Sequence, residues 1–198
     1  MDHKEYSSYL LRRSWMGNIY RRYWLYPLLS KFLRGITLDI GCGIGDMLAF
    51  RPNTVGVDIN AHNISFCMKR GLDAKVMICD QLPFTGTYFD SVLLDNVLEH
   101  IASPSALLTE VRRVLRPLGL VIVGVPGLRG YGADTDHKVF YDELDLERLA
   151  ELNGFKVMRT IHMPIGRSVF LSLHLRQYCI YSIWRPMPVQ VSSFQASF

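Results

Sequence analysis

The stretch ITLDIGCGIGDMLAF, residues 36–50, places Gly41, Gly43 and Gly45 within five positions behind a short apolar run. Few features restrict a fold more. Glycine has no Cβ to obstruct a left-handed turn, and bare backbone can approach a ligand closely. A turn of this kind between a strand and a helix therefore suits a nucleotide-like group.

The chain around it has to supply that strand and helix. From residue 36 onward β-rich runs alternate with helical patterns, the arrangement that builds a parallel sheet with crossover helices. Strands are expected at 36–41, 54–59, 74–79, 91–96 and 120–126. The best marked helix covers 104–115. Ser103 is its candidate cap, Pro104 suits its first position, and Leu107, Leu108, Val111, Val114 and Leu115 make an apolar stripe. Arg112, Arg113 and Arg116 favour its C-terminal end, and Pro117 stops it. A second helix is expected over about 142–152, with Leu146, Leu149 and Leu152 inward and Gly154 closing it. FKVMRTIHM and QYCIYSIW read as two further strands around an insertion near 164–176.

A chain of 198 residues, 49% hydrophobic, suffices for one well-buried core and is too short for two enzyme domains. The expected layout is a helical cap over 1–35, one domain over 36–185 and a tail over 186–198. Cys42, Cys67, Cys79 and Cys179 form no CxxC pair and no Cys/His cluster at metal-ligand spacing, so no metal site is expected. They read as reduced thiols of a cytoplasmic protein. MDHKEYSSYL lacks a signal-peptide layout, and LGLVIVGVPGL is too short to span a bilayer. Residues 1–35 hold seven Lys and Arg against two acids, which exceeds the whole-chain net charge of +4. Their Arg pairs alternate with Tyr and Trp, as in an amphipathic helix packing aromatics on a core or covering a site. One basic helix is a poor sign of nucleic-acid binding, and none is expected.

The turn reads D-x-G-x-G-x-G from Asp39 to Gly45, and Asp46 occupies the position where a dinucleotide fingerprint has Gly or Ala. A carboxylate before the turn repels pyrophosphate and attracts an ammonium or sulfonium. At this point the sequence resembles the class I S-adenosylmethionine-dependent methyltransferases over roughly 36–163. LDIGCGIG resembles their first motif, VGVDIN their second strand, CDQLPF the segment after strand three, FDSVLLDNVLEHI strand four with its turn, and RVLRPLGLVIVGVP the helix into strand five. The resemblance implies an α/β, Rossmann-like doubly wound sheet of seven strands, mostly parallel with an antiparallel last strand, in order 3-2-1-4-5-7-6, behind an N-terminal helical cap. It also implies S-adenosylmethionine as cofactor. Its methionine end would lie at Asp39, Gly41, Cys42, Gly43 and Gly45, its ribose at Asp58 and Ile59, and its adenine at Asp80, Gln81 and Leu82. Asp95 and Asn96, ending strand four, complete the implied cofactor site. Read alone, Asp58 could be a helix cap and Asp80 a turn residue; both sit at carboxyl ends of consecutive strands, where open α/β sheets bind ligands.

A sulfonium methyl is already activated, so the protein has mainly to align an acceptor and exclude water. A hydroxyl acceptor also needs a base. His137, in the glycine-rich loop after strand five, and His100, after strand four, are the candidates. His100 also reads as a structural hydrogen-bonding residue, since LEH recurs in the family across unlike acceptors. The N/D-P-P-Y/F turn of amino-group methyltransferases is absent: strand four ends DNVLEH. The expected acceptor is thus a small molecule, or the end of a glycan or lipid, methylated on oxygen. A silent cofactor-binding protein and a quinone-type C-methyltransferase stand as alternatives, and peripheral membrane contact and a homodimer stay open.

Overall fold

The computed structural model describes residues 15–188. The chain opens with α1 (Trp15–Tyr20), passes through a π-helical stretch (Arg21–Leu25) into α2 (Tyr26–Ser30), and then enters the alternating part. This comprises β1 (Thr37–Ile40), α3 (Asp46–Phe50), β2 (Thr54–Asp58), α4 (Ala61–Lys69), β3 (Ala74–Val76) and β4 (Phe89–Asp95). A 3-10 turn (Leu98–His100) leads to α5 (Ser105–Val114), β5 (Leu115–Pro126), α6 (Leu128–Tyr131), α7 (Glu143–Leu152), β6 (Phe155–Met163), α8 (Val169–His174) and β7 (Cys179–Pro186). The parts of the expected cap and tail at 1–14 and 189–198 lie outside the described residues.

The seven strands form one sheet in the order β3-β2-β1-β4-β5-β7-β6. The first five pair in parallel, and β7 runs antiparallel to both β5 and β6. This is the expected Rossmann-like order. It reverses direction between β1 and β4, so their carboxyl ends flank the crevice in which such sheets bind ligands.

Both faces of the sheet are covered. Leu107, Leu108, Val111 and Val114 of α5 and Leu146 and Ala150 of α7 pack with Val92, Leu94, Val121, Val123 and Trp184 on one face. Strand alternation sends Leu93, Leu120, Ile122, Tyr181 and Ile183 to the other, where Leu25, Tyr26, Leu29 and Leu33 cover them. The stretch from Leu25 to Leu33 is therefore a packed layer on the sheet, while Trp15, Tyr23 and Trp24 ahead of it stay exposed. Each fully buried Leu there stabilises the fold by about 1.5–3 kcal/mol.

Several local expectations need correction. Pro104 occupies the N-cap of α5 and no side chain caps the helix. Ser103 therefore lies outside the helix, because a residue preceding proline is pushed towards extended backbone. Leu115 leaves the helical stripe to become the first residue of β5. Leu152 points outward, 85% exposed, because α7 ends there and Gly154 turns left-handed at φ 76°. That helix starts with a reciprocal capping box between Asp142 and Asp145. β3 stops at Val76, since Cys79 adopts φ 46° and Ile78 bridges back to Gln81.

Candidate active site

The glycine turn adopts left-handed backbone at Gly41, Gly43 and Gly45, with φ of 72°, 54° and 79°. A Cβ on Gly41 would lie 2.7 Å from the Val97 side chain, so the turn is tight as well as strained for other residues. Gly41 and Cys42 both donate their amides to the Val57 carbonyl, at 2.8 and 3.0 Å. Gly43 donates to Asp58 Oδ2 at 2.9 Å. Asp58 also accepts from the Asn60 amide at 2.7 Å and from Asn63 Nδ2 at 3.2 Å. The carboxylate ending β2 thus meets any ligand with part of its lone-pair capacity already engaged.

A cavity of about 850 Å³ opens beside this turn, within the size range of small-molecule sites. Asp39, Asp58 and Asp95, at the carboxyl ends of β1, β2 and β4, are among the carboxylates that line it. Burial pushes the Asp39 carboxyl well above the usual carboxylate range, and the neighbouring Asp95 and Asp58 raise it further. Asp95 accepts from the Tyr181 hydroxyl at 2.8 Å and from Asn96 Nδ2 at 3.0 Å. Arg21, from the π-helical stretch, brings Nη1 to 3.7 Å from Asp95 Oδ2. Desolvation opposes its charge, but Tyr26, Asp95 and Tyr181 outweigh that and hold the guanidinium protonated. An acidic pocket with the Arg21 guanidinium beside Asp95 fits a ligand that carries an ammonium or sulfonium together with a carboxylate.

Beyond β4 the backbone carbonyl of Glu99 accepts from the amides of Lys138 at 2.7 Å and Val139 at 3.1 Å, tying the 3-10 turn to the loop after α6. His137 Nδ1 lies 2.8 Å from the Tyr131 carbonyl. A carbonyl only accepts, so Nδ1 carries the hydrogen and Nε2 of the neutral ring holds the lone pair. Tyr131 stacks on His137 at 5.3 Å, and His100 meets it edge-on at 4.7 Å. Burial lowers the His100 pKa, and His137 lowers it further. Glu99 Oε1 lies 3.9 Å from His137 Nε2. Burial pushes Glu99 up to about 8 against the partial pull of its own amide, and neither carboxylate oxygen has a well-formed hydrogen bond.

All of the residues singled out from sequence line the cavity except Gly45, Gln81 and Leu82. Gly45 packs against Leu72 and Cys67 instead, while the Gln81 amide donates to Ile78 O and the buried Leu82 amide to Glu110. The neighbouring Cys79 and Asp80 reach the cavity. Sequence reading missed Arg21, Tyr26, Tyr181 and Glu99. Nothing in the spacing distinguishes Arg21 from Arg12, Arg13 or Arg22, and Tyr181 sits in a strand that reads as plain core. Glu99 stood inside a quoted motif, where its complete burial had no sequence signal.

A family profile described as "Methyltransferase domain" matches residues 38–123. An uncharacterised protein of Methanocaldococcus jannaschii is 31% identical over 176 residues, covering 83% of this chain and 76% of its own. The fatty-acid O-methyltransferase of Mycolicibacterium smegmatis is 38% identical over 123 residues, 56% of this chain and 40% of that one. This chain spans 55% of the mycobacterial uncharacterised relatives it also matches. Among solved structures, a SAM-dependent methyltransferase from Methanosarcina mazei superposes with a TM-score of 0.63 at 21% identity, over 83% of this chain and 99% of that one.

Proposed function

The chain belongs to the class I S-adenosylmethionine-dependent methyltransferases, and from that premise we propose that it methylates an oxygen atom of a small-molecule, glycan or lipid-linked acceptor. The cofactor, when bound, supplies a methyl group activated by its sulfonium. Asp39 and Asp95 suit its ammonium, Arg21 its carboxylate, Asp58 its ribose, and Asp80 its adenine edge. The glycine turn supplies close backbone approach, and Tyr26 and Tyr181 shield the acidic groups from water.

The observation that carries the oxygen reading is the orientation of His137. Its Nδ1 is tied to the Tyr131 carbonyl, which leaves Nε2 as the basic atom on the β4–β5 side of the cavity. Removing a hydroxyl proton there is worth roughly 10²–10⁴-fold in rate. An acceptor with an apolar portion would suit the exposed Ile165, Val169 and Phe170, in the segment that leads to Arg176 and Gln177 of the cavity lining. The fatty-acid O-methyltransferase relative points the same way. Among the described residues no helix is long and apolar enough to cross a membrane.

Methyl-labelled cofactor incubated with soluble, glycan and lipid fractions tests the reading. Label recovered as a methyl ether or ester supports it. Label on nitrogen or carbon overturns it.

A further inference from the structure

We propose that Glu99, His100 and His137 form a binding site for one first-row divalent cation at the acceptor end of the cavity. This deepens the reading of the same site as an oxygen methyltransferase, and rests on that reading for its consequence but not for the binding itself.

The three side chains come from two segments, the 3-10 turn after β4 and the loop after α6, and their ligand atoms all lie within 4.8 Å of one another. Metal–ligand bonds of about 2.0–2.2 Å hold ligand atoms within roughly 4.4 Å of each other, so a small inward movement of the side chains closes the set. Three further observations point the same way. Glu99 is fully buried, and both its oxygens lack a hydrogen-bond partner, a costly arrangement that a cation would offset. The Tyr131 carbonyl fixes the tautomer of His137 from behind, as carbonyls behind metal-binding imidazoles do. His100 and His137 both line the cavity, as do Asp134 and Asp136, so open coordination positions would face an incoming acceptor in an acidic setting.

One carboxylate and two imidazoles with open positions suit Zn²⁺, Fe²⁺ or Mn²⁺ better than Mg²⁺ or Ca²⁺, which prefer all-oxygen sets. An acceptor hydroxyl that coordinates such a cation is acidified: the metal–oxygen bond forms, the O–H bond breaks, and the proton leaves to solvent through the open cavity. His137 would then act as a ligand that generates the nucleophile.

The test uses the full chain, stripped with chelator and then dialysed against Zn²⁺ or Mn²⁺ alone. A Cys79→Ser background removes the exposed thiol as a competing zinc ligand. One ion per chain is expected, with binding weakened at least about tenfold in Glu99→Gln and in His137→Ala. Retained cofactor binding by Glu99→Gln, with its near-isosteric amide, shows that the variant is folded. If it misfolds, a cation-induced rise in the wild-type melting temperature, abolished by His137→Ala, supplies the same evidence. Wild type that takes up no ion, or variants that bind it like wild type, overturn the proposal. Oxygen methylation undiminished in chelator, without ion uptake, sinks the metal site and leaves the transferase reading standing. Glu99-dependent ion binding in a chain that methylates nothing on oxygen supports the metal site and sinks that reading.

Discussion

Asp58 Oδ2 accepts the Gly43 amide at 2.9 Å, so the carboxylate that ends β2 is also the clamp on the turn that ends β1. Ligand contact and turn geometry therefore depend on one side chain. Charge-assisted hydrogen bonds contribute about 1.5–3 kcal/mol each. Asp58→Ala should weaken cofactor binding by at least about tenfold and also lower the melting temperature of the cofactor-free protein. Calorimetry and thermal melts read the two effects separately. An unchanged melting temperature would mean that the clamp does not hold the turn.

Asp39 contributes to the pH dependence, as does Glu99 with its raised carboxyl. The folded-state Asp39 carboxyl is held above the ordinary value, by burial first and then by Asp95 and Asp58. Its contribution to stability is therefore fully present below the unfolded pKa and is lost as pH rises through the folded one. Cofactor-free wild type should lose stability relative to Asp39→Asn as pH rises above the ordinary carboxylate range. A bound cation acts in the opposite sense by favouring the ionised carboxylate, so cofactor binding should release a proton and tighten with rising pH. Melts across pH, and calorimetry in buffers of differing ionisation enthalpy, check both signs. Parallel pH profiles for wild type and Asp39→Asn would count against Asp39.

Arg21 separates cofactor recognition from folding. Arg21→Ala should raise the cofactor dissociation constant by roughly tenfold, with partial recovery in Arg21→Lys, because a point charge restores attraction without the planar fork. Leu29→Ala, in the same segment but fully buried against the sheet, should instead cost about 2–5 kcal/mol of stability. Deleting residues 1–30 would combine these effects by uncovering Leu93 and Ile122, so the point variants are the cleaner test. Equal effects on binding and stability in both variants would argue against the division.

His137→Ala should lower turnover on a hydroxyl acceptor by about 10²-fold or more while leaving cofactor affinity within a few-fold of wild type. Steady-state kinetics alongside cofactor titration makes the comparison. A loss confined to cofactor affinity would place His137 on the wrong side of the cavity.

The sequence revealed most where one residue type has one physical use. Glycines at left-handed positions announced the turn, and Asp39 ahead of it pointed to a cationic ligand. Alternating strand and helix patterns gave the parallel part of the sheet. What escaped depended on contacts distant in the chain. Arg21 and Asp95 are 74 positions apart, and only the docking of Tyr26 and Leu29 on the sheet aims that guanidinium rather than Arg22 at the cavity. Ser103 misled because the proline after it was read as a helix residue, whereas the backbone uses it as the boundary.

The antiparallel placing of β7 bears on how this scaffold can diversify. Because β7 opposes both β5 and β6, β6 ends and β7 begins at the same sheet edge as the glycine turn, with Cys179 paired to both Pro126 and Met163. Every residue between Met163 and Cys179 thus belongs to a bridge whose two feet are fixed by strand register, while its span is not. Lengthening such a bridge is cheap, since each doubling of a flexible loop adds only about 0.6 kcal/mol of closure entropy. Lineages built on this frame can exchange acceptors by rewriting α8 and its flanks while β1, β2 and their carboxylates stay as they are.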